Sequence, residues 1–193
     1  DSLLSEPSTG LSSVAQDFFN SVNDVANDPT AIANREVMLQ EANALTSRFS
    51  LVDERLGEIR RQVNADVEGM TSSVNSYLEF VGELNAEISS TRGQNDLLDK
   101  RDQTLKELSE LMDISVVPTK GSDMVSVILK NGLSLVIGDQ VSTLSTKASE
   151  TDSENLRIMF TDAGGQEQDV TNQISSGKIA GAFRFRDEIL DPA

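Results

Sequence analysis

Carboxylates are the only side chains here plentiful enough to suggest acid–base chemistry. Two close pairs stand out, Asp99 with Asp102 and Asp152 with Glu154. A general acid and a general base can be built from such pairs. In a chain with 32 Asp and Glu, however, neighbours of this kind arise by chance, and we read them as solvated surface acids. Asp152-Ser153-Glu154 lacks the central glycine and distal Glu of a calcium-binding loop. Gly177-Lys178 lacks the upstream glycine and the following Ser or Thr of a phosphate loop. Gly164-Gly165 reads as a turn. Arg60-Arg61 could dock an acidic partner, but such a pair in a helix usually faces helix-spaced acids in solvent.

What the sequence lacks narrows the chemistry further. It has no His and no Cys. That removes Ser-His-Asp and Cys-His catalysis, His- or Cys-ligated metals, and disulfides. We expect no enzyme, no cofactor and no catalytic or metal site. The net charge of −16 repels a phosphate backbone, so no nucleic-acid partner is expected. No apolar run reaches the length of a membrane span. The chain opens at Asp1 without a signal-peptide pattern and reads as a piece of a longer protein.

These residues must be held by a fold with little core material. Hydrophobic residues make up 37% and aromatics 4%, which points to an elongated molecule or a small core. The character changes near Asp113: residues 1–113 carry a net charge of −12 and residues 114–193 a net charge of −4. The expected fold class is therefore α+β: an elongated helical bundle built on one very long helix, then a small antiparallel β domain and a return helix. The expected domains are a helical domain over 1–113, with helices at about 12–27, 31–92 and 95–112, a β domain over 114–177, and a return segment over 178–193.

In the first helix Leu11, Val14, Phe18, Val22 and Val25 recur at helical spacing. Ser13 and Gln16 suggest a capping box, and Asn27-Asp28-Pro29 a stop. Pro7 and Gly10 mark an irregular lead-in. Thr30 is the expected cap of the long helix. Along it, Met38, Ala42, Leu45, Phe49, Val52, Leu56, Ile59 and Val63 alternate steps of four and three residues, a heptad seam. Val67 adds one extra four-residue step, a stutter, before Met70, Val74, Tyr77, Val81, Leu84 and Ile88 resume the rhythm. Such a helix would be roughly 90 Å long, with Gly69 the likeliest bend. The seam needs covering. The first helix and a third, capped by Asn95 after an Arg92-Gly93 break, cover part of it through Leu98, Arg101, Leu105, Leu108 and Met112. The rest of the cover is expected from outside this chain or from another subunit.

The second part reads as strands. They are Ile114–Val117 closed by Pro118, a Met124–Leu129 and Leu133–Ile137 hairpin turned at Asn131-Gly132 with both turn residues at positive φ, a weaker Val141–Leu144, and Leu156–Phe160. Ser145–Asn155 reads as a polar loop. Ile179, Ala182, Phe183 and Ile189 or Leu190 suggest the last helix, ending at Asp191-Pro192-Ala193.

Asn95-Asp96-Leu97-Leu98-Asp99-Lys100-Arg101-Asp102 resembles the N-D-L-L-D-x-R-D segment of the flagellar hook-associated protein 1 family. Phe18-Phe19-Asn20 with Asn23-Asp24 and Asn27-Asp28-Pro29, Arg48-Phe49, Asn131–Val136, Gly177–Gly181, Phe185-Arg186-Asp187 and Leu190-Asp191-Pro192 resemble further family segments in the same order. The heptad-rich terminal segments of the family are absent. The resemblance implies a structural protein at the hook–filament junction, exported through the flagellar type III apparatus without a cleaved signal and located outside the cell. It implies a helical domain in a tubular wall, a projecting β domain, and terminal helices that would supply the missing cover. It implies partners: other copies of itself, the hook protein, the neighbouring hook-associated junction protein and an export chaperone. This stretch alone is then expected to be monomeric or weakly associating. Two alternatives stand beside it: flagellin or another axial protein, and a non-flagellar coiled-coil scaffold or sensor module whose β part binds a ligand.

Overall fold

The computed structural model of the chain describes residues 10–90 and 95–190. The Pro7 lead-in, the Arg92-Gly93 break and the Asp191-Pro192 end lie outside the described residues. The chain divides into two compact units, residues 1–59 and 60–193. This division does not coincide with the composition change near Asp113.

The first unit holds α1 (Leu11–Asn27) and the start of α2 (Ile32–Ser90). Gly10 is the N-cap of α1, in extended conformation and with no side-chain capping bond. The expected Ser13–Gln16 capping box does not form. Ser13 Oγ donates to the Gly10 carbonyl (3.1 Å), and Gln16 donates to Asn20 (3.0 Å). Nor does Thr30 cap α2. Its N–H and hydroxyl both donate to Asp28 Oδ1 (3.2 and 2.9 Å), so Asp28 organises the turn. Asn34 then donates to the Asp24 carbonyl (3.1 Å), joining α2 to the end of α1.

The second unit contains the rest of α2, α3 (Asn95–Leu111), seven short strands, a 3₁₀ turn (Thr171–Gln173), α4 (Gly177–Phe185) and a π-helical turn (Arg186–Leu190). The helix α2 runs through Gly57, Gly69 and Gly82 without interruption. Asn95 is itself helical within α3 rather than its cap, and Asp96 lies in the first turn, where a negative charge suits the dipole.

Both sheets are antiparallel meanders. β1 (Ile114–Pro118), β2 (Val125–Leu129), β3 (Ser134–Ile137) and β4 (Gln140–Val141) form one in that order. β5 (Thr143–Ala148), β6 (Leu156–Thr161) and β7 (Glu167–Asp169) form the other. The β2–β3 turn corrects the expected two-residue hairpin. Only Gly132 has positive φ (92°). Its N–H bonds to the Leu129 carbonyl, Leu129 N–H bonds to the Leu133 carbonyl, and Asn131 Oδ1 accepts from Leu133. This is a three-residue loop with a bulge. The expected loop at Ser145–Asn155 is also corrected. Ser145–Ala148 continues β5 and pairs with Leu156–Met159. The polar run misled because in β5 only Leu144 is buried.

The sheets have no separate core. One cluster unites Val67, Val74, Leu78 and Val81 of α2, Leu105 and Leu108 of α3, Val127, Leu129, Leu135 and Val136 of the first sheet, Leu144, Ile158 and Phe160 of the second, and Ile179 and Phe183 of α4. Each fully buried aliphatic side chain here contributes about 1.5–3 kcal/mol. The expectation that the remaining cover for the seam must come from outside the chain is thus corrected beyond Val63: the strands and α4 supply it beside α3, which covers Leu84 and Ile88 through Leu97. The buried stripe of α2 reads Val63, Val67, Thr71, Val74, Leu78, Val81, Asn85 and Ile88, with Met70 and Tyr77 half-buried beside it.

Candidate functional site

Two features have the makings of a working surface: the octet at the start of α3 and the seam of α2. Within the octet, Leu97 is buried and packs with Leu84 and Ile88, and Leu98 rests against them. Asn95, Asp96, Asp99 and Asp102 face solvent. Arg101 turns inward. It is 7% exposed, and its Nη1 donates to the Asp123 carbonyl (2.6 Å) and to Asn85 Oδ1 (3.3 Å). Its Nε has no hydrogen-bond partner among the described residues.

Asn85 is the centre of this group. Its Nδ2 donates to the carbonyls of Val125 (2.8 Å) and Gly138 (2.7 Å), and its Oδ1 accepts from the Val125 N–H (3.1 Å). The octet's arginine therefore braces the asparagine that holds β2 to the long helix. Burying a cation costs free energy unless it is hydrogen-bonded, and the Asp123 carbonyl and the Asn85 amide oxygen offset that cost.

The same device recurs along α2. Asn75 donates to the Leu144 carbonyl (2.7 Å) and accepts from the Leu144 N–H (2.9 Å). Asn64 Nδ2 donates to the Glu154 carbonyl (2.6 Å), and Arg60 pairs with the Glu154 carboxylate (2.8 Å). Asn64, Asn75 and Asn85 are about three turns apart, so they share one side of the helix. Sequence reasoning missed them, because asparagine in a helix reads as a poor helix former on the surface. The available signal was their three-turn spacing beside the apolar stripe. Gly82 belongs to this face as well. A Cβ there would sit 2.8 Å from Val141 Cγ2, so a larger residue would push this side chain of β4 aside.

The carboxylate pairs are not arranged as acid and base. Asp152 accepts from the Glu154 N–H (3.0 Å) and from Asn155 Nδ2 (2.9 Å), which shapes a turn. Asp99 and Asp102 are exposed on α3. Of Arg60-Arg61, Arg60 is bound to Glu154 and Arg61 faces solvent. Gly165 has positive φ (81°) in a turn whose N–H groups bond to Asp162, and Gly177-Lys178 opens α4.

Among the described residues, four groups titrate away from their ordinary values. Hydrogen bonds from Thr30 hold Asp28 low. Gln103 and then Tyr77 hold Glu107 low, and the same Glu107 pushes the Tyr77 phenol up. For Asp169, burial raises the pKa, but hydrogen bonds from Thr171 and the Arg157 guanidinium outweigh it and leave the carboxyl low. These are surface and turn contacts spread over the chain. Among the described residues, no group of three or more His, Cys, Asp and Glu could hold a metal ion. Nor is any helix among the described residues long and apolar enough to cross a membrane.

Three hollows are among those that the described residues line. One of about 370 Å³, between Leu133, Ile137 and Val141 of the first sheet and Phe160 and Ala163 of the second, is open to solvent. A polar one of about 220 Å³ contains Arg157, Asp169, Arg186 and Asp187, whose charges are already paired with one another. A third, of about 460 Å³, lies between α2 and α3 over Tyr77 and Phe80.

The seam of α2 is covered unevenly. Val63, Val67 and Val74 are buried, and Met70 is half-buried. In the first unit Leu45, Val52 and Ile59 are half-buried, while Phe49 is 53% and Leu56 38% exposed. Among the described residues of that unit only Gly10 and Ser21 are buried. The first unit is thus a helical pair with an open apolar stripe, to which Phe19, Ile32, Leu39 and Leu51 add exposed apolar surface.

Comparison with known proteins gives a consistent result. The family model for the helical domain of the flagellar hook-associated protein FlgK matches residues 1–193. The chain is 28% identical over 198 residues to flagellar hook-associated protein 1 of Salmonella typhimurium, covering 99% of this chain and 36% of that protein. It is 26% identical to the Escherichia coli protein of the same name, with the same coverage, and 25% identical to that of Bacillus subtilis, covering 90% of this chain and 37% of that one. Among solved structures, the flagellar hook junction protein FlgK from Burkholderia pseudomallei superposes with a TM-score of 0.87 at 28% identity, over 95% of this chain and 34% of that one. The chain spans about a third of the length of the curated relatives it matches.

Proposed function

The chain belongs to the flagellar hook-associated protein FlgK helical-domain family, and from that premise we propose that the protein carrying it is a structural, non-catalytic component of the bacterial flagellum that joins hook to filament. The observation that carries this reading is the seam of α2. Its later half is buried by the chain's own strands together with α3 and α4, whereas its earlier half, at Phe49 and Leu56, stands open among the described residues. An apolar stripe of that kind needs helical partners. Helices from elsewhere in the protein and from neighbouring copies meet the requirement. Hook protein and the neighbouring hook-associated junction protein are the other partners in this reading, with a dedicated chaperone holding the chain before export. Export takes the flagellar route without a cleaved signal peptide, and the protein works outside the cell.

The sequence-based partition into 1–113, 114–177 and 178–193 stays with this proposal as the course of the chain through wall, excursion and return. The isolated stretch is monomeric or weakly associating in this reading. The net −12 of residues 1–113 is neutralised by neighbours in the assembly, so assembly is salt-sensitive.

The test is deletion of the full-length gene, with electron microscopy of the cells and an assay of the medium for unpolymerised flagellin. Hooks without filaments, with flagellin lost to the medium, are expected. Normal filaments would remove the junction role and return attention to the scaffold reading.

A further inference from the structure

The hollow between α2 and α3 and the end of the return helix match each other as groove and ridge. The groove floor is Tyr77 and Phe80, two aromatics one helical turn apart, and Phe80 is 42% exposed. Asp99, Lys100, Gln103 and Glu107 of α3 form its wall. The ridge is Phe185 and Ile189, also one turn apart and 42% and 63% exposed. Arg184 and Glu188 flank it at the same one-turn interval and face solvent. Among the described residues Asp99, Lys100, Arg184 and Glu188 make no ion pair. The ridge therefore offers two apolar side chains and the groove two aromatic rings, with Tyr77 half-buried and its phenol bonded to Glu107. Each side also has a cation and an anion without an ion-pair partner among the described residues. The inter-sheet groove is a poorer match, since Asp162 is its only charged lining residue and nothing there meets Glu188.

We propose that a second copy of the chain seats its Phe185–Ile189 ridge in the Tyr77–Phe80 groove, with Arg184 facing the wall carboxylates and Glu188 facing Lys100. The proposal rests on self-association in the reading above and names its surface. Groove and ridge are different patches of one chain, so the contact is heterologous and passes from copy to copy in one direction. A ridge of two side chains is too small for a stable dimer in solution. It adds instead to other contacts when copies are held side by side.

The test uses the full-length protein in assembled flagella, with any cysteines outside this stretch replaced. Glu188→Cys and Gln103→Cys are introduced together and singly, and purified flagella are oxidised. The double variant is expected to give a ladder of cross-linked copies, several-fold above either single variant. A double variant that assembles yet stays monomeric on the gel overturns the proposal and leaves the junction reading intact. Protein absent from the flagella would overturn both. Labelling of Gln103→Cys by a maleimide in the unassembled full-length monomer is expected, and a blocked thiol there would mean that the protein's own chain fills the groove, which also overturns the proposal. Because all four charges are exposed, Lys100→Glu is expected to fold but to weaken cross-linking, and added Glu188→Lys to restore it. Failure of that restoration counts against the pairing.

Discussion

The side-chain amide of Asn75 bonds both backbone groups of Leu144, donating to its carbonyl at 2.7 Å and accepting from its N–H at 2.9 Å. To β5 the helix thus presents what another strand would present. β5 is thereby tied in register to α2 at Leu144.

Replacing Asn75 with Ala leaves both Leu144 groups without their partner. The expected cost is about 1–3 kcal/mol. Urea unfolding should show a lower midpoint, and hydrogen exchange should show faster exchange at the Leu144 amide than at Val125, whose partner is Asn85.

Asn85→Ala should cost more, roughly 3 kcal/mol, because it removes three bonds to the sheet and also leaves Arg101 with only the Asp123 carbonyl. Arg101→Met in the Asn85→Ala background should recover part of the loss, since it removes the stranded cation. A double-mutant cycle with no coupling between the two positions would contradict this account.

Two glycines should respond in opposite directions. Gly177 has φ 88°, and a Cβ there would lie 2.5 Å from the Leu111 carbonyl oxygen. Gly177→Ala should therefore destabilise by about 2 kcal/mol or more. At Gly69, inside α2, a Cβ meets nothing within 4 Å. Gly69→Ala should stabilise by about 1 kcal/mol. Thermal melts of the two variants check both signs.

The seam should divide energetically as it divides in burial. Leu78→Ala opens a cavity in the shared core and should cost about 2–5 kcal/mol. Phe49→Ser, at a half-exposed position, should change stability by no more than about 0.5 kcal/mol. Under the proposed junction role, the second variant in the full-length protein should impair filament attachment, scored by electron microscopy.

Asp169 sets a pH dependence. Its carboxyl is held below the ordinary aspartate value of about 3.9. A group depressed on folding contributes stability above its unfolded pKa and loses that contribution as pH falls through the folded value. Melting temperature should therefore fall below about pH 4, and Asp169→Asn should flatten that part of the curve while lowering stability at neutral pH.

The helices were legible because their signal is long. The period of α2 persists over many turns, and a few glycines do not mask it. The octet at Asn95–Asp102 was also legible, but its inner working was not: Arg101 read as one more charge on α3, and only the fold shows Asn85 opposite it. β5 was hidden because a strand packed at a single residue has no alternation to read. The Asn131-Gly132 turn was found in place and mistaken in type, since the dipeptide fits both a two-residue loop and a bulged three-residue one. The asparagines of α2 escaped notice because their partners are backbone groups, which have no identity in a sequence.

The excursion through both sheets leaves α3 at Asp113 and returns at Ser175, where Asp113 Oδ1 accepts from the Ser175 N–H (3.0 Å) and Oδ2 from its hydroxyl (2.7 Å). Lys178 and Glu110 add a second tie beside it (3.1 Å). The two ends of a long detour are thus pinned together at its root. A pull transmitted along the chain from α3 to α4 meets this clasp before it reaches the strands, which Asn75, Asn85 and Arg101 also tie to the helices.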